Sequence, residues 1–219
     1  MCPLLPIRKP ILCYVTDRRS LAGSPAARES LLLEKIEEAA RGNVDWIQLR
    51  EKDLSGRELA AVSEQAVKRT GQASRVLVND RLDVAFAANA AGVHLGEKSL
   101  PVSAARRLAE ERSIGGEFLV GVSRHSVEGA LEAERAGADY VIFGPVFATP
   151  SKAQFGEPQG LESLKHVCER LKIPVLAIGG ITEQNAWECL RAGARGIAAI
   201  RLFQNATDLG SVVKRLRRA

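Results

Sequence analysis

Three polar residues spaced two apart, Gln48, Arg50 and Lys52, close an apolar run that starts at Val44. Alternate side chains of a strand share a face. If the extended geometry holds that far, an amide and two cations stand together while Leu49 and Glu51 face the other way. Such a trio builds a poor core and a good cradle for a doubly charged phosphate group, with a solvated strand end as the competing reading. Asn79-Asp80 closes another apolar run. Its carboxylate suits Mg²⁺, which takes one or two such ligands together with substrate phosphates; it would equally suit the cap of a helix starting near Leu82. Gly179-Gly180 opens backbone N–H groups to an anion, or serves a tight turn with positive φ. We favour phosphate there because a further strand ends beside it. Of the three histidines, His125 lies in a loop just after Ser123 and is the better functional candidate. His94 sits on an apolar strand, as suited to packing as to function, and His166 falls mid-helix on the surface. No Ser-His-acid order supports hydrolase chemistry.

The elements that must carry these residues follow from periodicity. Strands are predicted at 11–16, 46–50, 76–79, 92–95, 119–123, 140–144, 175–178 and 196–200. Between them fall predicted helices at 29–41, 56–70, 82–89, 102–112, 126–136, 161–171 and 183–192, and a last one at about 208–217. Gly42, Gly137 and Gly193 follow helical patterns where a left-handed cap is wanted. Ala136-Gly137-Ala138-Asp139-Tyr140 and Ala192-Gly193-Ala194-Arg195-Gly196 repeat one helix-stop and strand-start device, echoed at Ala90-Ala91-Gly92-Val93-His94. Alternating strands and helices mean a parallel sheet, and eight such units predict an α/β protein, a single TIM (β/α)₈ barrel over 1–219. In that barrel chemistry sits after the C-terminal strand ends. Those ends hold Thr16-Asp17, Arg50-Glu51-Lys52, Asn79-Asp80-Arg81, the stretch from His94 to Ser99, and Ser123-Arg124-His125. Later ones hold the loop Pro145 to Lys152, Gly179-Gly180 and Arg201. Chance would spread polar residues over both ends, so this clustering points to an enzyme.

Composition narrows the class. A chain of 219 residues suits one well-buried domain. It is 46% hydrophobic, without an apolar run of the ~18 residues that a membrane span needs. Residues 1–10 place their charges after the apolar part, the reverse of a secretory signal, and are expected to be a flexible tail on a cytoplasmic protein. Cys2, Cys13, Cys168 and Cys189 form no C-x-x-C pair, against a zinc site or a disulfide framework. Cys13 is expected to be a buried small hydrophobe. The net charge of +5 gathers largely near the C-terminus, and aromatics are only 5%. Nucleic acid is thereby disfavoured as a partner, while small phosphorylated substrates fit; the sequence leaves assembly into a homo-oligomer open.

With these motifs assembled, the chain resembles the thiamine phosphate synthase/TenI family from Tyr14 to about Phe203. The resemblance rests on Gln48-Leu49-Arg50-Glu51-Lys52, Val78-Asn79-Asp80, Gly92-Val93-His94-Leu95-Gly96, Gly121-Val122-Ser123, Gly144-Pro145-Val146-Phe147, Thr149-Pro150-Ser151-Lys152 and Ala177-Ile178-Gly179-Gly180-Ile181. It implies coupling of hydroxymethylpyrimidine diphosphate to thiazole phosphate, with release of pyrophosphate. Gln48, Arg50, Lys52, Asn79, Ser123 and Lys152 would bind the pyrimidine diphosphate, with Arg50, Ser123, Lys152 and His125 as the catalytic set. Asp80 would ligate Mg²⁺. Thr149, Ser151, Gly180, Ile200 and Arg201 would hold the thiazole phosphate. Two departures stand out. Ser99 occupies the position of the usual second metal-binding aspartate, and Arg201 replaces a small hydroxyl residue; we expect Arg201 to offset part of the charge missing at Ser99. The TenI branch, which isomerises a thiazole carboxylate phosphate with a histidine matching His125 as proton shuttle, also lacks that acid. A non-catalytic thiazole phosphate-binding relative is a third reading. Asn79-Asp80 and the Thr149-to-Lys152 loop favour the synthase.

Overall fold

The computed structural model describes residues 9–112, 117–149 and 157–218. Eight parallel strands close a barrel in chain order, β1 pairing with β8. They are β1 (Ile11–Val15), β2 (Trp46–Leu49), β3 (Arg75–Asn79), β4 (Gly92–Leu95), β5 (Leu119–Arg124), β6 (Tyr140–Phe143), β7 (Val175–Ile178) and β8 (Gly196–Ala199). The helices are α1 (Pro25–Arg41), α2 (Gly56–Thr70), α3 (Leu82–Ala87), α4 (Val102–Glu111), α5 (Val127–Arg135), α6 (Gly160–Arg170), α7 (Ala186–Arg191), α8 (Arg201–Gln204) and α9 (Leu209–Leu216). No helix among the described residues is long and apolar enough to cross a membrane.

Helix ends follow local chemistry. The Ser24 side chain accepts the Ala27 N–H with Pro25 at the first helical position. That pairing starts α1 four residues before the predicted 29, because proline lacks only an N–H that a first turn leaves unpaired. Ser55 and Glu58 form a reciprocal capping box on α2. Gly137 and Gly193 have the expected positive φ, but Gly42 does not (φ −75°). The left-handed residues after α1 and α3 are Asn43 and Asn89 instead, since asparagine tolerates that region. Residues 1–8 of the expected tail lie outside the described residues. Lys9 and Pro10 are tied down: their carbonyls accept from Arg195 and Arg217, each at 2.8 Å.

Strand alternation sorts side chains into two layers. Outward-facing Val76, Val78, Val93, Val120, Val122 and Val141 pack on helical Leu32, Ile36, Leu59 and Leu164. Inward-facing Cys13, Val15, Leu77, Tyr140, Ile142, Leu176 and Ala198 fill the barrel. Burial pushes the Cys13 thiol up to about 12, as befits a packing residue and not a nucleophile. Continuing the inward alternation toward the C-terminal ends puts Gln48, Asn79 and Ser123 above this apolar plug, with His94 beside it.

Candidate active site

Gln48, Asn79 and Asp80 form a hydrogen-bonded chain across the ends of β2 and β3. Asp80 Oδ2 accepts from Asn79 Nδ2 at 2.8 Å, and Asn79 Oδ1 accepts from Gln48 Nε2 at 3.0 Å. An ionised carboxylate only accepts. It therefore fixes the orientation of both amides and leaves Gln48 Oε1 as an acceptor. That oxygen is buried and has no partner among the described residues. A buried, orphaned acceptor calls for a donor, and an incoming ligand is the group that can supply one.

Asp80 has φ 61°, a left-handed conformation that is uncommon outside glycine and clusters at functional sites. It does not cap α3, whose N-cap is Arg81 and whose first turn receives no side-chain capping bond from that residue. Instead Oδ1 accepts the Gly96 N–H at 3.0 Å and the Ser99 hydroxyl. Burial pushes its pKa up, but the bonds from Ser99, Gly96 and Asn79 and the charge of Lys52 outweigh that and hold it below the usual carboxylate value. Asp80 is thus an anion in the resting protein.

Beside it, β2 ends at Leu49 and the chain turns at Lys52 and Asp53, so strict alternation does not extend to Lys52. The buried Glu51 carboxylate explains the turn. It accepts the Thr16 hydroxyl and the Arg18 N–H (3.0 Å), while Thr16 Oγ1 accepts the Arg50 N–H at 3.0 Å. Burial raises the Glu51 pKa, against the hydrogen bonds from Thr16 and Arg18 and the Arg18 charge, which lower it. Glu51 therefore holds the backbone of Arg50. The 3-10 helix Arg18–Ser20, unforeseen in the sequence, delivers the Arg18 N–H. Among the described residues the side chains of Arg50 and Lys52 have no hydrogen bond or ion pair; both line an open cleft with Asp17, Arg19, Ser20, Glu51 and Asp53.

On the next strands, His94 is 1% exposed. Its Nε2 lies 2.8 Å from Ser123 Oγ and its Nδ1 lies 3.1 Å from the Tyr140 hydroxyl. Burial drives its pKa down to about 3, so the imidazole is neutral. The packing reading of His94 and the functional one thus coincide. His125 Nδ1 donates to the Gly144 carbonyl and ties the end of β5 to the end of β6. His166 is exposed on α6.

Across the barrel, Arg201 Nη2 donates to Thr149 Oγ1 at 3.1 Å. The predicted strand end at 200–201 is instead the start of α8, with Ile200 as its N-cap. The expectation that Arg201 offsets the charge missing at Ser99 fails on two counts. β8 stands opposite β4 in the eight-strand order, and a guanidinium has the wrong sign to replace a carboxylate. Gly179 and Gly180 have φ 98° and 65°. A Cβ on Gly180 would stand 2.6 Å from the Ala148 carbonyl oxygen, and one on Gly179 would stand 2.5 Å from Pro145 Cβ. Close approach of the β6 loop therefore accounts for both glycines, whether or not an anion also uses them. Ser151 and Lys152 lie outside the described residues.

No group of three or more His, Cys, Asp or Glu side chains that could cage a metal occurs among the described residues. One ionised carboxylate with a hydroxyl beside it is too little for a dedicated metal cage. It fits Mg²⁺ brought in with phosphate oxygens, the arrangement this ion favours.

Polar groups gathered at the C-terminal ends of eight parallel strands, over a closed apolar plug, define a (β/α)₈-barrel enzyme. The thiamine monophosphate synthase family model matches residues 12–203, and the chain belongs to that family. It is 45% identical over 192 residues to a putative thiamine-phosphate synthase of Geobacter sulfurreducens, covering 86% of this chain and 84% of that protein. It is 38% identical over 206 residues to the thiamine-phosphate synthase of Clostridium novyi, covering 94% and 96%. Among solved structures, thiamine phosphate pyrophosphorylase from Pyrococcus furiosus superposes with TM-score 0.79 at 36% identity, covering 95% of this chain and 94% of that one. A 3-hexulose-6-phosphate synthase (TM-score 0.70, 20% identity) shares the fold.

Proposed function

We propose that this chain is a thiamine phosphate synthase, joining hydroxymethylpyrimidine diphosphate to thiazole phosphate. The observation that carries the reading is the Gln48–Asn79–Asp80 chain. It presents a buried acceptor at one end and an ionised carboxylate at the other, with the cations of Arg50 and Lys52 alongside; among the described residues that acceptor and both cations are without a partner. An aminopyrimidine offers the donor that Gln48 Oε1 lacks, and its diphosphate offers the anion that the cations lack.

In the reaction the bond from the pyrimidine methylene carbon to the diphosphate oxygen breaks, and the oxygen keeps the electron pair. The thiazole nitrogen then forms a bond to that carbon, giving thiamine phosphate and pyrophosphate. Negative charge grows on the leaving group, and cations preorganised around it lower the barrier. Arg50 and Lys52 would serve there, joined by Lys152 on the strength of the family resemblance. Asp80, with the Ser99 hydroxyl, would hold Mg²⁺ together with the diphosphate; bound Mg²⁺ supplies further charge neutralisation of the leaving group. Ser123 would donate a hydrogen bond to the diphosphate. Thr149, Arg201 and Gly180, with Ser151 by resemblance, would hold the thiazole phosphate, whose capture needs positioning more than acid–base work.

One incubation with both substrates and Mg²⁺ tests the proposal. Equimolar thiamine phosphate and pyrophosphate support it. Conversion of thiazole carboxylate phosphate alone, without metal, would replace it with the tautomerase reading, and binding without turnover with the non-catalytic one.

A further inference from the structure

We infer that Tyr140 is a positioning residue that sets the direction of the Ser123 hydroxyl through the tautomer of His94. The inference rests on the assignment of Ser123 to a diphosphate. Strand register brings the three together: His94 pairs with Gly121 across β4 and β5, and Gly121 pairs with Tyr140 across β5 and β6. Gly121 is the reason the outer two can meet, because a Cβ there would stand 1.9 Å from Tyr140 Cζ. Ser123 lies two residues further along β5, on the same inward face. The Tyr140 ring is also held against Trp46, with centroids 4.6 Å apart.

The direction of the hydrogen bonds follows from counting donors. The Tyr140 hydroxyl is fully buried, and its only hydrogen-bond partner among the described residues is His94 Nδ1, at 3.1 Å. A buried O–H must donate somewhere, so it donates to Nδ1, which then carries a lone pair. A neutral imidazole has one N–H; it must sit on Nε2, from which it donates to Ser123 Oγ at 2.8 Å. Ser123 thus accepts from below, and its own O–H is left to donate outward, the polarity an anionic ligand requires. The opposite tautomer would turn the Ser123 proton inward toward His94 and leave the Tyr140 O–H without an acceptor.

Nitrogen-15 NMR of the His94 imidazole in the ligand-free protein reads the tautomer directly. The wild type is expected to show the Nε2–H form, and Tyr140→Phe, which keeps the ring packing, a mixture. An Nδ1–H form in the wild type, or an unchanged spectrum in the variant, would overturn the inference. Calorimetry with inorganic pyrophosphate and Mg²⁺ supplies the second readout. Loss of one neutral hydrogen bond predicts about 2- to 10-fold weaker binding for Tyr140→Phe. In a Ser123→Ala background the same change is expected to have no further effect. In a His94→Leu background, where no group can relay a hydrogen bond to Ser123, it is again expected to be silent. Equal losses in all three backgrounds would assign Tyr140 a merely structural role. If pyrophosphate fails to bind the wild type, the diphosphate reading falls, and the imidazole spectra alone decide the relay.

Discussion

The two ends of the barrel use the same charged residue types to opposite effect. At the N-terminal end, carboxylates and guanidinium groups satisfy one another and the backbone. Asp45 accepts the Leu12 N–H at 2.8 Å and pairs with Arg217 at 3.0 Å, while Arg217 also donates to the carbonyls of Pro10 and Asn43. Asp139 repeats the device, accepting the Val120 N–H at 2.6 Å and pairing with Arg106, which reaches the carbonyls of Phe118 and Gly137. Of these atoms only Arg217 Nε is buried without a partner among the described residues. At the C-terminal end Arg18 is paired, with Asp53 at 3.0 Å, but Arg50 and Lys52 have no ion pair, Asp80 has hydrogen bonds but no salt bridge, and Gln48 Oε1 has no partner, again among the described residues. Charges that complete each other at one end hold the barrel; groups left incomplete at the other are available to a ligand.

The comparison breaks most visibly if variants at the two ends behave alike. Arg50→Ala is expected to lower kcat/KM for coupling by about 10²- to 10³-fold, the scale of losing one preorganised charge donor, with little change in unfolding free energy. Steady-state kinetics and a urea titration of the same preparation check both halves. Arg217→Ala is expected to do the reverse. It removes charge-assisted bonds to Asp45 and two carbonyls, and because Asp45 is partly exposed the loss is discounted to about 2–3 kcal/mol of stability, with kcat per folded molecule unchanged.

A third prediction uses pH. The His94 pKa falls from 6.5 to about 3 on folding, mainly through burial, so between those values the unfolded chain binds more protons. Its contribution to stability is fully present above pH 6.5 and is lost as pH falls toward 3, on the order of 5 kcal/mol in all. The urea midpoint should drop more steeply over that range for the wild type than for His94→Gln; parallel curves would contradict the buried neutral imidazole. The smallest expected effect is at Arg201. Arg201→Ser should raise KM for thiazole phosphate by about 2- to 10-fold, the worth of a modest exposed charge contact, and leave the Mg²⁺ dependence alone. A change in that dependence would restore the link to Ser99 that the geometry removes.

Much of this architecture was legible in the sequence, because period-two alternation at a strand end is a local property. Gln48, Asn79 and Ser123 face inward as their spacing implies, and all eight strands lie where the apolar runs put them. What escaped depends on register between strands. Nothing in the spacing of His94, Gly121 and Tyr140 reveals that three separate strands align them in one layer. Glu51 looked like the outward-facing neighbour of two cations; its role as the anchor of Thr16 and Arg18 depends on a contact 33 to 35 residues away in sequence. Arg201 misled because its partner, Thr149, lies 52 residues earlier. The short helix α8 was hidden by a strand pattern running straight into it.

The most direct test of the contrast between the two ends is calorimetric titration of Mg²⁺ and pyrophosphate into the wild type, Arg50→Ala, Lys52→Ala and Arg217→Ala. One site per chain is expected, weakened at least tenfold by either C-terminal-end variant and untouched by Arg217→Ala while that protein remains folded. Equal affinity in all four, or loss in Arg217→Ala alone, would contradict the assignment of the open cations to the ligand.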